Sequence, residues 1–226
     1  MTWDRLMRPA VAALALLAGS AAPALAAPAA VIAAVGAAAD PEVCHSEVAA
    51  APSASPSQTP GAPQAFSVRL PEVALRVVQG ERVGERQALG QRVRTEDAAL
   101  LNFIFTSCTS VCPPMSAVFA ATQQQLGARA GEVQMISVSI DPEHDTPGRL
   151  HDYAARFGAG AQWSFHTGAP AAIDAVQRAF SVYRPDKMGH TPVTFVKPRG
   201  RDGWLRVDGF ATPQQLLALA LPEAKR

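Results

Sequence analysis

Three apolar patterns follow one another inside residues 66–222 and predict a mixed α/β domain. The run over 98–105, apolar apart from Asn102, is typical of a strand in the centre of a sheet. Apolar residues between positions 113 and 126 share one face of a helix. The β-branched run over 133–140 predicts the next strand. Together these three segments form a βαβ unit.

Shorter elements are predicted on both sides of this unit. The strand-like segments are 73–78, 82–87, 163–166, 193–196 and 204–207. The remaining helices are indicated by the Asp145-Thr146-Pro147 cap, by the spacing of Ile173, Val176 and Phe180, and by the Thr212-Pro213 cap. This order predicts an α/β, thioredoxin-like fold with an N-terminal β-hairpin extension, a central βαβ unit and a C-terminal ββα unit.

The first third of the chain differs in composition from the rest. Arg5 and Arg8 precede a long uncharged run that contains the small-residue triplet Ala24-Leu25-Ala26. This layout predicts a signal peptide over residues 1–26 and an exported protein, periplasmic or facing the periplasm. An uncleaved membrane anchor is the alternative, because the uncharged run is long enough to cross a bilayer. Residues 27–65, rich in Ala and Pro, are predicted to be a disordered segment and linker.

A pair of cysteines provides the first candidate chemistry. Cys108 and Cys112 follow the central strand, and Pro113 marks the first turn of the next helix. The helix dipole and the unpaired N–H groups at a helix start stabilise thiolates. Such thiolates bind a soft metal, exchange disulfides or form a structural disulfide. The last of these is disfavoured, because so short a loop would remove little entropy from the unfolded chain.

A third donor is expected from a distant loop. His190 lies just before the strand predicted beside the cysteine strand, so its loop should face the start of the helix. Two soft sulfurs and an imidazole suit Cu(I) and also accommodate Cu(II). Asp141 closes the neighbouring strand and either lies near the metal or starts an Asp-Pro turn. Met188 could add a thioether, although local packing is its expected role.

The remaining candidates carry weaker signals. His144 is expected to be a solvated loop residue, and His151 and His166 are expected to be structural. Cys44-His45 lies before the domain and could be an auxiliary copper donor, an intermolecular disulfide partner or incidental. The formal net charge of +1, without a basic stripe, excludes nucleic acid as an expected partner.

Two long motifs and one loop resemble the Sco/SenC family of copper chaperones. They are Phe-Ile-Phe-Thr-Ser-Cys-Thr-Ser-Val-Cys-Pro at 103–113, Ser-Val-Ser-Ile-Asp-Pro-Glu-His-Asp-Thr-Pro at 137–147, and the loop of His190. The resemblance covers nearly the whole predicted domain. It implies a thioredoxin-like protein that binds one copper through Cys108, Cys112 and His190. It also implies that Asp141 lies near that site.

The same resemblance implies a function and a partner. Members of the family deliver copper to, or reduce the cysteines of, the binuclear copper centre of cytochrome c oxidase. The expected partner is therefore the oxidase subunit that carries this centre, or another copper chaperone. On this interpretation the protein is a metallochaperone rather than an enzyme. A thiol–disulfide oxidoreductase of the cell envelope, using Cys108 and Cys112, is the alternative.

Overall fold

A computed structural model describes residues 60–93 and 96–222 as one eight-stranded sheet with helices on both faces. The strands are β1 (Gln64–Phe66), β2 (Ala74–Gln79), β3 (Arg82–Ala88), β4 (Ala98–Ile104), β5 (Val133–Ser139), β6 (Trp163–Thr167), β7 (Val193–Lys197) and β8 (Trp204–Asp208). The α-helices are α1 (Cys112–Leu126), α2 (Pro147–Arg156), α3 (Pro170–Ala179) and α4 (Pro213–Ala220). Across the sheet the strand order is β1-β8-β7-β4-β5-β6-β2-β3.

Strand β4 lies in the middle of the sheet, parallel to β5 and antiparallel to β7. Its side chains alternate between two apolar cores, as the twofold period of a strand requires. Leu100 and Ile104 pack with residues of α1, α2 and α4 on one face. Leu101 and Phe103 pack with residues of α3 on the other face. Burial on both faces explains why this segment is a continuous apolar run.

The predicted thioredoxin-like α/β arrangement is confirmed. β4, α1 and β5 form the βαβ unit, and β7, β8 and α4 form the C-terminal ββα unit. The hairpin β2–β3 pairs with β6 and extends the sheet at its far edge. Because β4 and β5 are parallel, both of their carboxyl ends lie at one edge of the sheet, where α/β folds place functional groups.

Two features at the helix and strand ends refine the predicted bounds. β1 begins at Gln64, two residues before the predicted domain start, and pairs antiparallel with β8. Thr146 caps α2 by accepting a hydrogen bond from the Arg149 amide at 3.3 Å. The cap of α2 is therefore Thr146 alone. Asp145, its neighbour in the predicted cap, has a different role.

The predictions for the N-terminal region fall mostly outside the described residues. The signal peptide at 1–26, most of the linker at 27–65, and Cys44-His45 all lie there. Within residues 60–93 and 96–222, none of the helices combines the length and the apolar character that crossing a bilayer demands.

Candidate metal centre

The sulfur of Cys108 occupies the N-terminal end of α1. It accepts a hydrogen bond from the backbone N–H of Cys112, the first residue of α1, at 3.3 Å. The Cys108 amide in turn donates to the Phe105 carbonyl at 3.1 Å. Pro113 and Pro114 have no N–H, so Cys112 alone supplies an amide donor among the first three helical residues. The Cys112 amide, which a capping side chain would usually bind, therefore donates to the Cys108 sulfur.

Burial and hydrogen bonding give the two thiols opposite acid–base properties. Both are free and buried, Cys108 with 8% of its surface exposed and Cys112 with none. Burial acts to raise the pKa of Cys108, but hydrogen bonds from Cys112 and Ser110 outweigh it and bring this pKa below its ordinary value. Burial, followed by the hydrogen bond and charge of Cys108, raises the pKa of Cys112 far above its ordinary value. Cys108 is therefore the thiol that ionises first.

Asp145 anchors the cysteine loop, residues 105–111, which leads from β4 to α1. Its fully buried carboxylate accepts hydrogen bonds from the Thr106 amide at 3.1 Å and the Thr106 hydroxyl at 2.5 Å. The Ser139 hydroxyl, at the end of β5, donates to the same carboxylate at 2.6 Å. The sequence assigns Asp145 only to a helix cap. Its role was missed because an acidic residue before a helix is adequately explained by capping.

The ring of His190 contacts the same end of β4. Its Nε2 lies 3.0 Å from the Phe103 carbonyl oxygen. A carbonyl oxygen only accepts, so Nε2 carries the proton and the neutral ring keeps its lone pair on Nδ1. Burial lowers the pKa of His190, although the hydrogen bond to Phe103 opposes this effect, and the neutral form is favoured. A metal-binding histidine commonly donates its other N–H to a carbonyl in this way.

An ion pair holds the histidine turn, the short turn Lys187–Gly189 that precedes His190. The Lys187 ammonium donates to Asp141 at 2.6 Å, and the His144 ring lies 3.0 Å from the other Asp141 oxygen. Burial acts to raise the pKa of Asp141, but hydrogen bonds from Lys187 and His144 hold this pKa below its ordinary value. Asp141 thus links the end of β5 to the histidine turn. Lys187 had no distinguishing signal in the sequence.

The structure brings the predicted metal ligands to one edge of the sheet without joining them into a single cluster. Cys108 and Cys112 contact each other, and His190 contacts the strand that leads to them. Over the described ranges, 60–93 and 96–222, no three His, Cys, Asp or Glu side chains lie close enough together to hold a metal ion. Joint coordination by the two thiols and the imidazole therefore stays a prediction.

Among the other candidates, the prediction for Met188 was wrong. Its side chain is 72% exposed rather than packed. His166 is fully buried in β6, its Nε2 lies 3.0 Å from the Ser164 hydroxyl, and burial lowers its pKa to about 3, as suits a structural residue. His151 is half-exposed on α2 and His144 is exposed beside Asp141.

Comparison with protein families confirms the resemblance that the motifs indicate. The SCO1/SenC family model matches residues 75–200, which is more than half of the chain. This chain belongs to the SCO1/SenC family. The matched region contains all three predicted ligands. A SCO1 protein homolog of Bacillus subtilis (strain 168) is 43% identical over 70 residues, which are 30% of this chain and 36% of that protein. The match thus spans about a third of that relative.

Solved Sco structures share the fold. BsSco, a member of the Sco family of cytochrome c oxidase assembly proteins, is 26% identical, with a TM-score of 0.52. The likeness covers 66% of this chain and 86% of BsSco. The copper-bound ScoI of Bradyrhizobium japonicum is 25% identical over 65% of this chain and 95% of that one, with a TM-score of 0.50. Copper, the predicted metal, is thus the metal present in a Sco structure that this protein resembles.

Proposed function

We propose that this protein is an exported copper metallochaperone. It delivers copper to the binuclear copper centre of cytochrome c oxidase, or keeps the cysteines of that centre reduced. Cys108, Cys112 and His190 hold the copper, which is cargo rather than a resident cofactor. The partner is the oxidase subunit that carries the copper centre, or another copper chaperone. The chain works in the periplasm or facing it.

One observation carries this proposal: at the end of β4, hydrogen bonds favour the metal-binding forms of both the Cys108 sulfur and the His190 ring. The Cys112 amide and Ser110 help the Cys108 thiol to ionise. The Phe103 carbonyl holds the His190 proton on Nε2, so Nδ1 is the nitrogen that binds the metal. Thiolate sulfur and neutral imidazole are ligands that suit Cu(I) and Zn alike, and the Sco membership of the chain favours copper.

Copper binding requires the imidazole and the thiols to approach each other. The turn that carries His190 is attached through Lys187 to Asp141, and an added Cβ at Gly189 would meet no atom within 4 Å. Asp145 and the start of α1 fix the cysteine loop more firmly. The histidine turn is therefore the part that moves. Asp141 acts as a positioning residue that keeps this turn next to the cysteine loop.

Competitive titration of the reduced full chain with Cu(I) and bicinchoninate tests the proposal. One Cu(I) per chain should bind. The Cys108→Ser, Cys112→Ser double variant should lose affinity by on the order of 1000-fold, about 4 kcal/mol. Cys44→Ser is the matched control, because it removes a thiol that is not among the three proposed ligands, and it should bind like the wild type. Equal affinity in the double variant would contradict the proposal.

The opposite acid–base properties of the two thiols also favour a second candidate, a thiol–disulfide reductase. Cys108 would attack and Cys112 would resolve the mixed disulfide. The reduced chain and the copper-loaded chain should each be mixed with the oxidised copper-centre domain of the oxidase. Copper transfer without thiol loss supports the chaperone. Loss of two thiols per chain with no copper requirement supports the reductase.

A further inference from the structure

One sulfur near the candidate metal centre differs from the others in its exposure. Within the part of the chain that the structure describes, sulfur is carried by Cys108, Cys112, Met115, Met135 and Met188. The first four are buried, with 8%, 0%, 3% and 0% of their surfaces exposed. Met188 is 72% exposed. A single exposed apolar side chain is common on protein surfaces, but this one carries the one exposed sulfur of residues 60–93 and 96–222.

The turn that carries Met188 is well defined. The Met188 amide donates to the Asp186 carboxylate at 2.8 Å, and the His190 amide donates to the Lys187 carbonyl at 3.1 Å. The Lys187 side chain is anchored on Asp141 at 2.6 Å. Met188 therefore projects into solvent from a turn that is held by its own internal hydrogen bonds, two residues before the imidazole.

The same turn lies beside the start of the cysteine loop. The Lys187 ammonium is 5.8 Å from the centre of the Phe105 ring. The Phe105 carbonyl accepts the hydrogen bond from the Cys108 amide. Both thiols are almost fully buried, so a copper donor first contacts the exposed residues around them. Met188, the residue after Lys187, provides an exposed soft ligand in this turn.

We propose that the Met188 thioether is an entry ligand for Cu(I), from which the metal passes to His190 and the two thiols. This inference rests on the proposed function and adds a fourth residue to it. Thioether sulfur is a soft ligand that selects Cu(I), and the flexible methionine side chain adapts to several geometries. A neutral thioether binds more weakly than a thiolate, which suits a ligand that must release the metal.

The transfer is a ligand exchange without electron transfer. Copper stays Cu(I) throughout. A bond to the Met188 sulfur forms as a bond to the donor breaks. The bond to Met188 then breaks as the Cys108 sulfur and the His190 Nδ1 bind, the Cys112 sulfur joins last, and each cysteine that arrives as a thiol releases its proton to water. Met188 therefore affects the rate of loading and leaves the final equilibrium unchanged.

Stopped-flow transfer of Cu(I) from its bicinchoninate complex to the reduced full chain tests the inference. Met188→Leu should slow loading about tenfold, equivalent to about 1.4 kcal/mol in the barrier, with the same final copper content. The matched control adds Val83→Met to Met188→Leu. This change restores an exposed thioether at Val83, which is 47% exposed on the edge strand β3. The added thioether should not restore the rate.

The outcomes separate this inference from the proposed function. If the wild type and Met188→Leu load copper at the same rate, the entry role is overturned and the proposed chaperone function is unaffected. Restoration by Val83→Met would also overturn it, because any exposed thioether would then suffice. A wild-type chain that takes no copper would overturn both proposals.

A spectroscopic measurement locates the metal directly. In a Cys44→Ser, Cys108→Ser, Cys112→Ser chain with 13C-labelled methionine methyl groups, added Cu(I) should shift the Met188 resonance. The buried Met115 and Met135 serve as internal controls and should not move. An unchanged chemical shift of the Met188 methyl group after Cu(I) addition would contradict the proposal.

Discussion

The cysteine loop and the histidine turn meet at the same edge of the sheet, but they are held in different ways. Asp145, fully buried, binds the loop through Thr106 and links it to Ser139 in β5. The histidine turn is held by one ion pair, in which the Lys187 side chain is 36% exposed, and by the bond from His190 to Phe103. One half of the site is preorganised and the other half is adjustable. The proposed function needs both uptake and release of copper, and this division serves both.

The largest effect expected of a single substitution tests the adjustable half directly. His190→Ala should lower Cu(I) affinity about 100-fold, or about 2.7 kcal/mol, because one of the three proposed ligands is lost. Competition with bicinchoninate measures the loss. His151→Ala is the matched control, because His151 is half-exposed on α2 and outside the site. Undiminished affinity in His190→Ala would remove the imidazole from the copper site.

The preorganised half is tested by Asp145→Asn. The amide keeps one acceptor oxygen but turns N–H donors toward Thr106 and Ser139, which also donate. We expect the free energy of unfolding to fall by about 2 kcal/mol, since buried donors lose their acceptor. Urea unfolding followed by circular dichroism gives the value. Asp152→Asn, an exposed carboxylate on α2, is the control. Equal stability of both variants would show that Asp145 does not anchor the loop.

Within the cysteine loop and the start of α1, the thiols of Cys108 and Cys112 should differ in reactivity. Cys108 should react with iodoacetamide at least about ten times faster than Cys112 at pH 8, because the thiolate is the nucleophile and its pKa is the lowered one. Mass spectrometry of peptides after brief labelling measures both rates. The rate for Cys108 should reach half its maximum below the pH at which an ordinary thiol does. Faster labelling of Cys112 would reverse the proposed assignment.

The smallest effect concerns the tether of the histidine turn. Lys187→Ala should lower the free energy of unfolding by less than about 1 kcal/mol, because the pair is partly exposed to water. The pKa of Asp141 is depressed in the folded state, so its contribution is complete above the ordinary pKa of 3.8 and disappears as the pH falls through the folded pKa. The difference between Lys187→Ala and the wild type should therefore shrink in acid. A difference that grows in acid would contradict this assignment.

Most of the sheet could be predicted from local pattern. The continuous apolar run of β4 and the helical spacing after Cys112 each have a single good structural interpretation. β1 was not predicted, because three residues of mixed polarity carry no period, and only pairing with β8 makes them a strand. Asp145 and Lys187 were missed for a related reason: their roles depend on partners 39 and 46 residues away.

Sequence alone determined most of the elements, the family and the identity of the candidate ligands, because apolar periodicity, proline positions and sulfur chemistry are local properties. Tertiary structure decided the hydrogen bonds and the exposure of those ligands. It placed the Cys108 sulfur on the Cys112 amide, the His190 proton on the Phe103 carbonyl and the Met188 thioether in solvent. These arrangements depend on which buried groups the packed strands bring within hydrogen-bonding distance, and the order of residues along the chain does not specify those distances.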